Sequence, residues 1–163
     1  MAGVGLEILT VAESYAADAF ATAHGIPGVE LMANAGAGIA SAIRERWAPR
    51  STVVLAGPGA NGGDGWVVAR LLAEAGWPVR LALLGAREKL SGDAAHHAAF
   101  WTGPVEPLAP AALEGAALVV DAIFGAGLAR PVAGVAAETL EAAAAGPAPI
   151  VAVDLPSGVA GDT

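Results

Sequence analysis

Three absences bound this 163-residue chain before any motif is considered. It has no cysteine, which excludes disulfides and thiolate metal sites. Positive charge is scarce: eight Lys and Arg stand against sixteen Asp and Glu, a formal net charge of −8. Binding a phosphate backbone wants a basic patch, so nucleic acid is not an expected partner. A phosphorylated small molecule stays open, because loop amides and helix N-termini hold phosphate without lysine. Long apolar runs are missing too, and none approaches the ~20 residues that a spanning helix needs. The opening "MAGVGLEILT" has no basic region and carries Glu7 within its apolar part, so no signal peptide is expected. The expectation is a soluble, cytoplasmic protein with no membrane partner.

What is present points to one packed domain over 1–163. Apolar residues make up 55% and charged residues 15%, far from the composition of disorder. Thr10 and Glu13 have capping-box spacing, and Gly25 supplies a stop, which predicts a helix between them. "GVELMANAGAGIASAIRERW" predicts a second helix ending before Pro49. Four short apolar runs then suit buried strands, at 52–56, 79–84, 117–124 and 150–155. Helical stretches at 63–75, 92–101 and 132–145 separate them. Continuous apolar strands alternating with helices predict a mostly parallel sheet covered on both faces. The proline-rich "GPVEPLAPAALEG" reads as a connection.

The ends of the runs carry the chemistry. The first enters "GPGANGGDG", the third meets Asp121 and then "FGAGLARP", and the fourth enters "DLPSG". In open parallel sheets, ligands sit beyond the carboxyl ends of the strands. Gly57-x-Gly59-x-x-Gly62 spells the dinucleotide fingerprint, but the second strand ends "LALLGAR" with no acid to hold a ribose. No Gly-Lys-Ser/Thr follows for a P-loop, and no G-x-S-x-G elbow is present. Asn61 offers an amide oxygen to a cation or hydroxyl, or is a turn residue. Asp64 is a site carboxylate, or the N-cap of the following helix. Asp121 and Asp154 fall in apolar runs, where a buried carboxylate needs hydrogen bonds, a cation or a ligand. Gly125-Ala126-Gly127 forms a second close-approach loop, with Arg130 able to meet a phosphate or solvent. His96 and His97 are adjacent on a helix, so they diverge and make a poor metal pair. Trp66 is expected to pack beneath the glycine loop.

Together, "AGPGANGGDGWVVARLLAEAGWPVRL", "VVDAIFGAGLARPVAG" and "VAVDLPSGVAGDT" resemble the signature blocks of the NAD(P)H-hydrate epimerases, and "LMANAG" resembles that family's "LMENAG" helix. The resemblance implies a Rossmann-like α/β/α sandwich with N-terminal helices, and an isomerase that interconverts the R and S forms of NADH or NADPH hydrated at C6. It implies a potassium ion, one per subunit, at Asn61, Asp121 and Ser157. Substrate would meet Ala60, Asn61, Gly62, Gly63 and Asp64, then Gly125, Ala126, Gly127, Leu128, Ala129, Arg130 and Pro131, and Asp154. Asp154 is the expected acid/base. The hydrated dinucleotide would be substrate rather than cofactor. The resemblance leaves open a homodimer and a C-terminal dehydratase domain. Ala60 and Ala33 depart from the family's asparagine and glutamate, and "DT" stops short of the family's further strands, as in a truncated domain with an open sheet edge. Rival readings are a non-catalytic dimerising module of the same fold and an NAD-dependent oxidoreductase.

Overall fold

The computed structural model describes residues 9–162; the signal-peptide reading of the first eight residues and the terminal Thr163 lie outside them. Five helices and five strands alternate along most of the chain: α1 Val11–Ala23, α2 Gly28–Arg46, β1 Thr52–Ala56, α3 Ala60–Glu74, β2 Val79–Leu83, α4 Gly92–Ala99, β3 Val105–Pro107, β4 Leu118–Ala122, α5 Val135–Ala145 and β5 Ile150–Ala152. All strands pair in parallel, in the order β3-β2-β1-β4-β5. The direction of winding therefore reverses between β1 and β4, and a crevice opens there at their carboxyl ends.

Alternation along the central strands builds two cores. Val54, Ala56, Leu81, Leu118 and Val120 face one side and meet Ile43, Trp66, Leu72 and Ala98 of α2, α3 and α4. Val53, Leu55 and Val119 face the other side with Ala136 and Ala143 of α5. Each layer supplies only one wall of each core, and together they form the three-layer sandwich. β1 and β4 are buried along their whole lengths. The edge strands β3 and β5 contain no fully buried residue, and Ile150 on β5 is exposed.

Two expectations need correction. The stretch "GPVEPLAPAALEG" contains a strand, β3, which pairs with β2 through Leu81, Ala82 and Leu83. Its Pro107 closes an edge strand, where a missing N–H is tolerated. The second correction concerns α3, which begins at Ala60 with Gly59 as N-cap. Asn61 and Asp64 therefore stand inside the helix, and neither is a turn residue or a cap.

The reason lies in the glycines. A Cβ on Gly57 would come 1.9 Å from the carbonyl oxygen of Ile123, and one on Gly62 would come 1.8 Å from that of Gly57. Gly63 abuts Met32 of α2, Gly65 abuts Ala122 of β4, and Gly36 of α2 abuts Val67. Missing side chains thus let α3 sit hard against β1, β4 and α2, which outweighs the helical cost of about 0.5–1 kcal/mol per glycine. Only Gly59 in this stretch faces open space. Trp66 is fully buried behind it, as expected.

A contrast tests this account. Gly57→Ala meets immovable main chain and should lose at least about 2 kcal/mol in urea unfolding. Gly38→Ala in mid-α2, with nothing within 4 Å, should gain about 0.5–1 kcal/mol. Equal midpoints for the two variants would contradict the packing role assigned to Gly57.

Candidate active site at the sheet switch point

A cavity of about 1040 Å³ opens at the switch point. Its floor is the start of α3, its sides are the loops after β4 and β5, and α1 and α2 close the outer wall. Ala60, Asn61, Asp64, Gly125, Ala126, Gly127, Leu128 and Asp154 line it. Gly62 and Gly63 turn inward and pack against protein. Ala129, Arg130 and Pro131 are exposed and lie off its wall. Asp121 and Ser157 also stand off the wall and reach it through Phe124, a lining residue.

The aspartate on β4 organises these loops. Asp121 is 3% exposed. Its Oδ1 accepts from Ser157 Oγ at 2.6 Å and from the Ile123 amide at 3.2 Å, and its Oδ2 accepts from the Ser157 amide at 2.8 Å. Ser157 Oγ in turn accepts from the Phe124 amide at 2.9 Å. One buried carboxylate thereby ties the β5 loop to the β4 loop. The ion pairs among the described residues, Arg70–Glu74 and Arg80–Glu106, leave Asp121 without a basic partner.

Asp154 differs from its expectation. β5 ends at Ala152, so Asp154 falls in the following loop and is exposed rather than buried. It holds φ +65°, the one positive φ among the described non-glycine residues. Aspartate tolerates that left-handed region better than most side chains. The turn directs its Oδ2 to the Ala126 amide at 2.7 Å. Gly125 lies where the parts converge: a Cβ there would stand 2.5 Å from Asp154 Oδ2 and 3.0 Å from Asn61 Oδ1. Asn61 Nδ2 is buried with no hydrogen-bond partner. An amide oxygen, a carboxylate and a hydroxyl make an oxygen-only donor set. Asn61, Asp121 and Ser157 carry these three oxygens, the donor chemistry that a hard cation takes.

Asp64 is the electrostatic anomaly. Burial first, and then the charges of Asp154 and Asp18, raise its carboxyl from the ordinary 3.8 to about 7. Among the described residues, no lysine or arginine lines the cavity. The sequence reading missed the α1 and α2 contributions, namely Val11, Ser14, Tyr15 and Asp18 from the first helix and Asn34, Ala35, Gly38 and Ile39 from the second. Both helices were legible, but which way their polar positions face is set by docking. His97 is buried with Nε2 2.9 Å from the Val29 carbonyl oxygen, and His96 is exposed, so they form no joint site.

The Asp64 shift has a stability consequence. Between about pH 4 and 7 the folded chain binds more proton than the unfolded one, so stability falls as pH rises through that window. Asp64→Asn removes the ionisation. At pH 8 it should be more stable than the parent by on the order of 1–3 kcal/mol, with the gap closing toward pH 4. Equal urea midpoints at pH 8 would refute the strained carboxyl.

Residues 28–163 match the family described as YjeF-related protein N-terminus. The NAD(P)H-hydrate epimerase of Rhodobacter capsulatus is 45% identical, over 93% of this chain and 77% of that protein. The one from Limosilactobacillus fermentum is 40% identical, over 96% and 77%. The bifunctional NAD(P)H-hydrate repair enzyme Nnr of Thermofilum pendens is 39% identical over 86% of this chain, which corresponds to 29% of that longer protein. Among solved structures, the crystal structure of yeast ynu0, YNL200c, superposes with a TM-score of 0.78 at 26% identity, covering 94% of this chain and 72% of the yeast chain.

Proposed function

The chain belongs to the YjeF-related protein N-terminus family, and from that premise we propose that it epimerises hydrated NADH and NADPH in nicotinamide-cofactor repair. It is an isomerase. One observation carries the reading: relatives named NAD(P)H-hydrate epimerase match over more than nine-tenths of the chain. The cavity at the β1/β4 switch point is where such a fold takes a dinucleotide.

Interconverting R and S forms at C6 breaks and remakes one C–O bond at a carbon that also bears nitrogen. The nitrogen lone pair expels the C6 oxygen as water once it is protonated, leaving an iminium-like cation. Water then adds to the opposite face and returns the proton, so the step balances without oxidant or reductant. Asp154 is the acid/base for that proton, a role worth about 10²–10⁴ in rate. Asp64, raised to about 7 beside it, is the neighbouring carboxyl that holds a proton near neutral pH. The acidic wall, with no lysine or arginine among its described lining residues, favours the positively charged intermediate.

The first-turn amides of α3 at Ala60 and Asn61, both lining residues, have no partner four residues back. They offer the phosphates N–H donors in place of lysine. The loop Gly125–Leu128, held by Asp154 and Ser157, forms the opposite edge. Asn61, Asp121 and Ser157 would hold a potassium ion, which supplies a fixed positive charge beside the buried carboxylate. Since the dinucleotide is substrate, β2 needs no acid to hold a resident cofactor's ribose.

The test uses pure R-hydrate of NADH, with S-hydrate followed by chromatography, in potassium and in potassium-free buffer. The expected result is acceleration over the spontaneous rate, larger with potassium. No acceleration in either buffer overturns the activity, and equal rates in both overturn the ion. Asp154→Ala should lose about 10²-fold or more; an unchanged rate would remove Asp154 from the proton path.

A further inference from the structure

Helix α1 is well begun and poorly buried. Thr10 and Glu13 complete a capping box, with Glu13 Oε2 accepting from the Thr10 amide at 2.8 Å and Thr10 Oγ1 accepting from the Glu13 amide at 3.3 Å. None of its thirteen residues is buried, and Tyr15 is 59% exposed. A surface helix ordinarily turns an apolar stripe to the core. The stripe at i, i+3, i+4 and i+7 here is Val11, Ser14, Tyr15 and Asp18, and all four line the cavity. The helix is fastened across the cavity mouth rather than to a core. The Val11 amide donates to Asp162 Oδ1 at 2.8 Å, and Tyr15 Oη rests on Gly127, where a Cβ would stand 2.2 Å from it.

We infer that this face of α1 is a substrate-binding wall, with Tyr15 and Asp18 in contact with the hydrated dinucleotide. The inference rests on the proposed activity and extends the site to an element that none of the sequence motifs includes. The cavity volume commits it to a ligand of dinucleotide size, at the upper end of the ~300–1,000 Å³ typical of small-molecule pockets. The chemistry also suits. The Tyr15 ring gives a flat apolar face for a base or nicotinamide-derived ring, and its hydroxyl already touches the loop that edges the site. Ser14 and Asp18 provide acceptors for ribose hydroxyls or the carboxamide N–H₂. Asp18 also faces Asp64 closely enough to disfavour its ionised form. α1 thus gains its missing contact area when substrate binds.

The experiment compares Tyr15→Ala, Tyr15→Phe, Asp18→Asn and the control Phe20→Ala in the full chain, by kinetics on the R-hydrate of NADH. Phe20 is exposed and stacks on His24, away from the cavity. Tyr15→Ala should raise KM about ten-fold or more, Tyr15→Phe much less, Asp18→Asn several-fold, and Phe20→Ala not at all. Thermal midpoints should barely move, since neither side chain is buried. Hydrogen exchange with and without the R-hydrate supplies the second readout, with slowed amides expected over 14–18, 60–64 and 125–128. Protection of the two loops without α1, or an unchanged KM in Tyr15→Ala and Asp18→Asn, overturns the inference while leaving the activity standing. Protection of no segment overturns both. A sedimentation shift from dimer to monomer in the α1 variants, with KM unchanged, would assign the face to a second copy and overturn the inference as well.

Discussion

A carboxylate on a central strand organises the working end of this molecule. Asp121 lies at 3% exposure, where an unsatisfied charge would be costly. Its three accepted hydrogen bonds come from Ser157 and Ile123, which belong to the loops after β5 and β4. Satisfying one buried group therefore fixes the relation between two segments thirty-six residues apart in sequence. Ser157 passes the constraint on to Phe124, and Asp154 repeats it at Ala126. Cavity shape on that side follows from polar satisfaction more than from apolar packing.

The opposite side is shaped by the absence of side chains. Gly57, Gly62, Gly63 and Gly65 each abut protein atoms that a Cβ would strike. They bring α3 down onto the sheet, which aims its first turn at the cavity and delivers Asn61 and Asp64 to the wall. The loop that looked suited to backbone approach by a ligand is mostly suited to backbone approach by the protein itself, and Gly59 alone in it faces open space. Dense packing also buries Asp64, and that burial with the charges of Asp154 and Asp18 raises its carboxyl to about 7. Above the ordinary carboxylate range that burial costs stability, a cost of the kind that sites commonly carry.

The legible parts of the fold were those with local physical causes. The capping box at Thr10, the stop after His24, the run "TVVLA" and the α2 helix fell where periodicity and cap chemistry placed them. β3 was hidden because three residues with a proline carry no periodic signal, and its edge pairing with β2 exists only in the folded sheet. The start of α3 was hidden because glycine argues against helix locally, and only contacts of Gly62, Gly63 and Gly65 with Gly57, Met32 and Ala122 overrule that. Asp154 looked buried because its apolar neighbours continue past the strand, whereas the chain turns at positive φ just there.

By itself, the sequence determined the class of sheet, the order of its loops and which oxygen-bearing residues stand at strand ends. These follow from apolar runs, turn residues and composition, all of which act over a few residues. Tertiary structure alone decided that α1 faces the cavity, that Asp18, Asp64 and Asp154 share it, and that Asp121 is served by Ser157. Those relations join segments tens to over a hundred residues apart. They depend on how the layers dock and on which buried polar groups must be satisfied, and neither leaves a mark on local spacing.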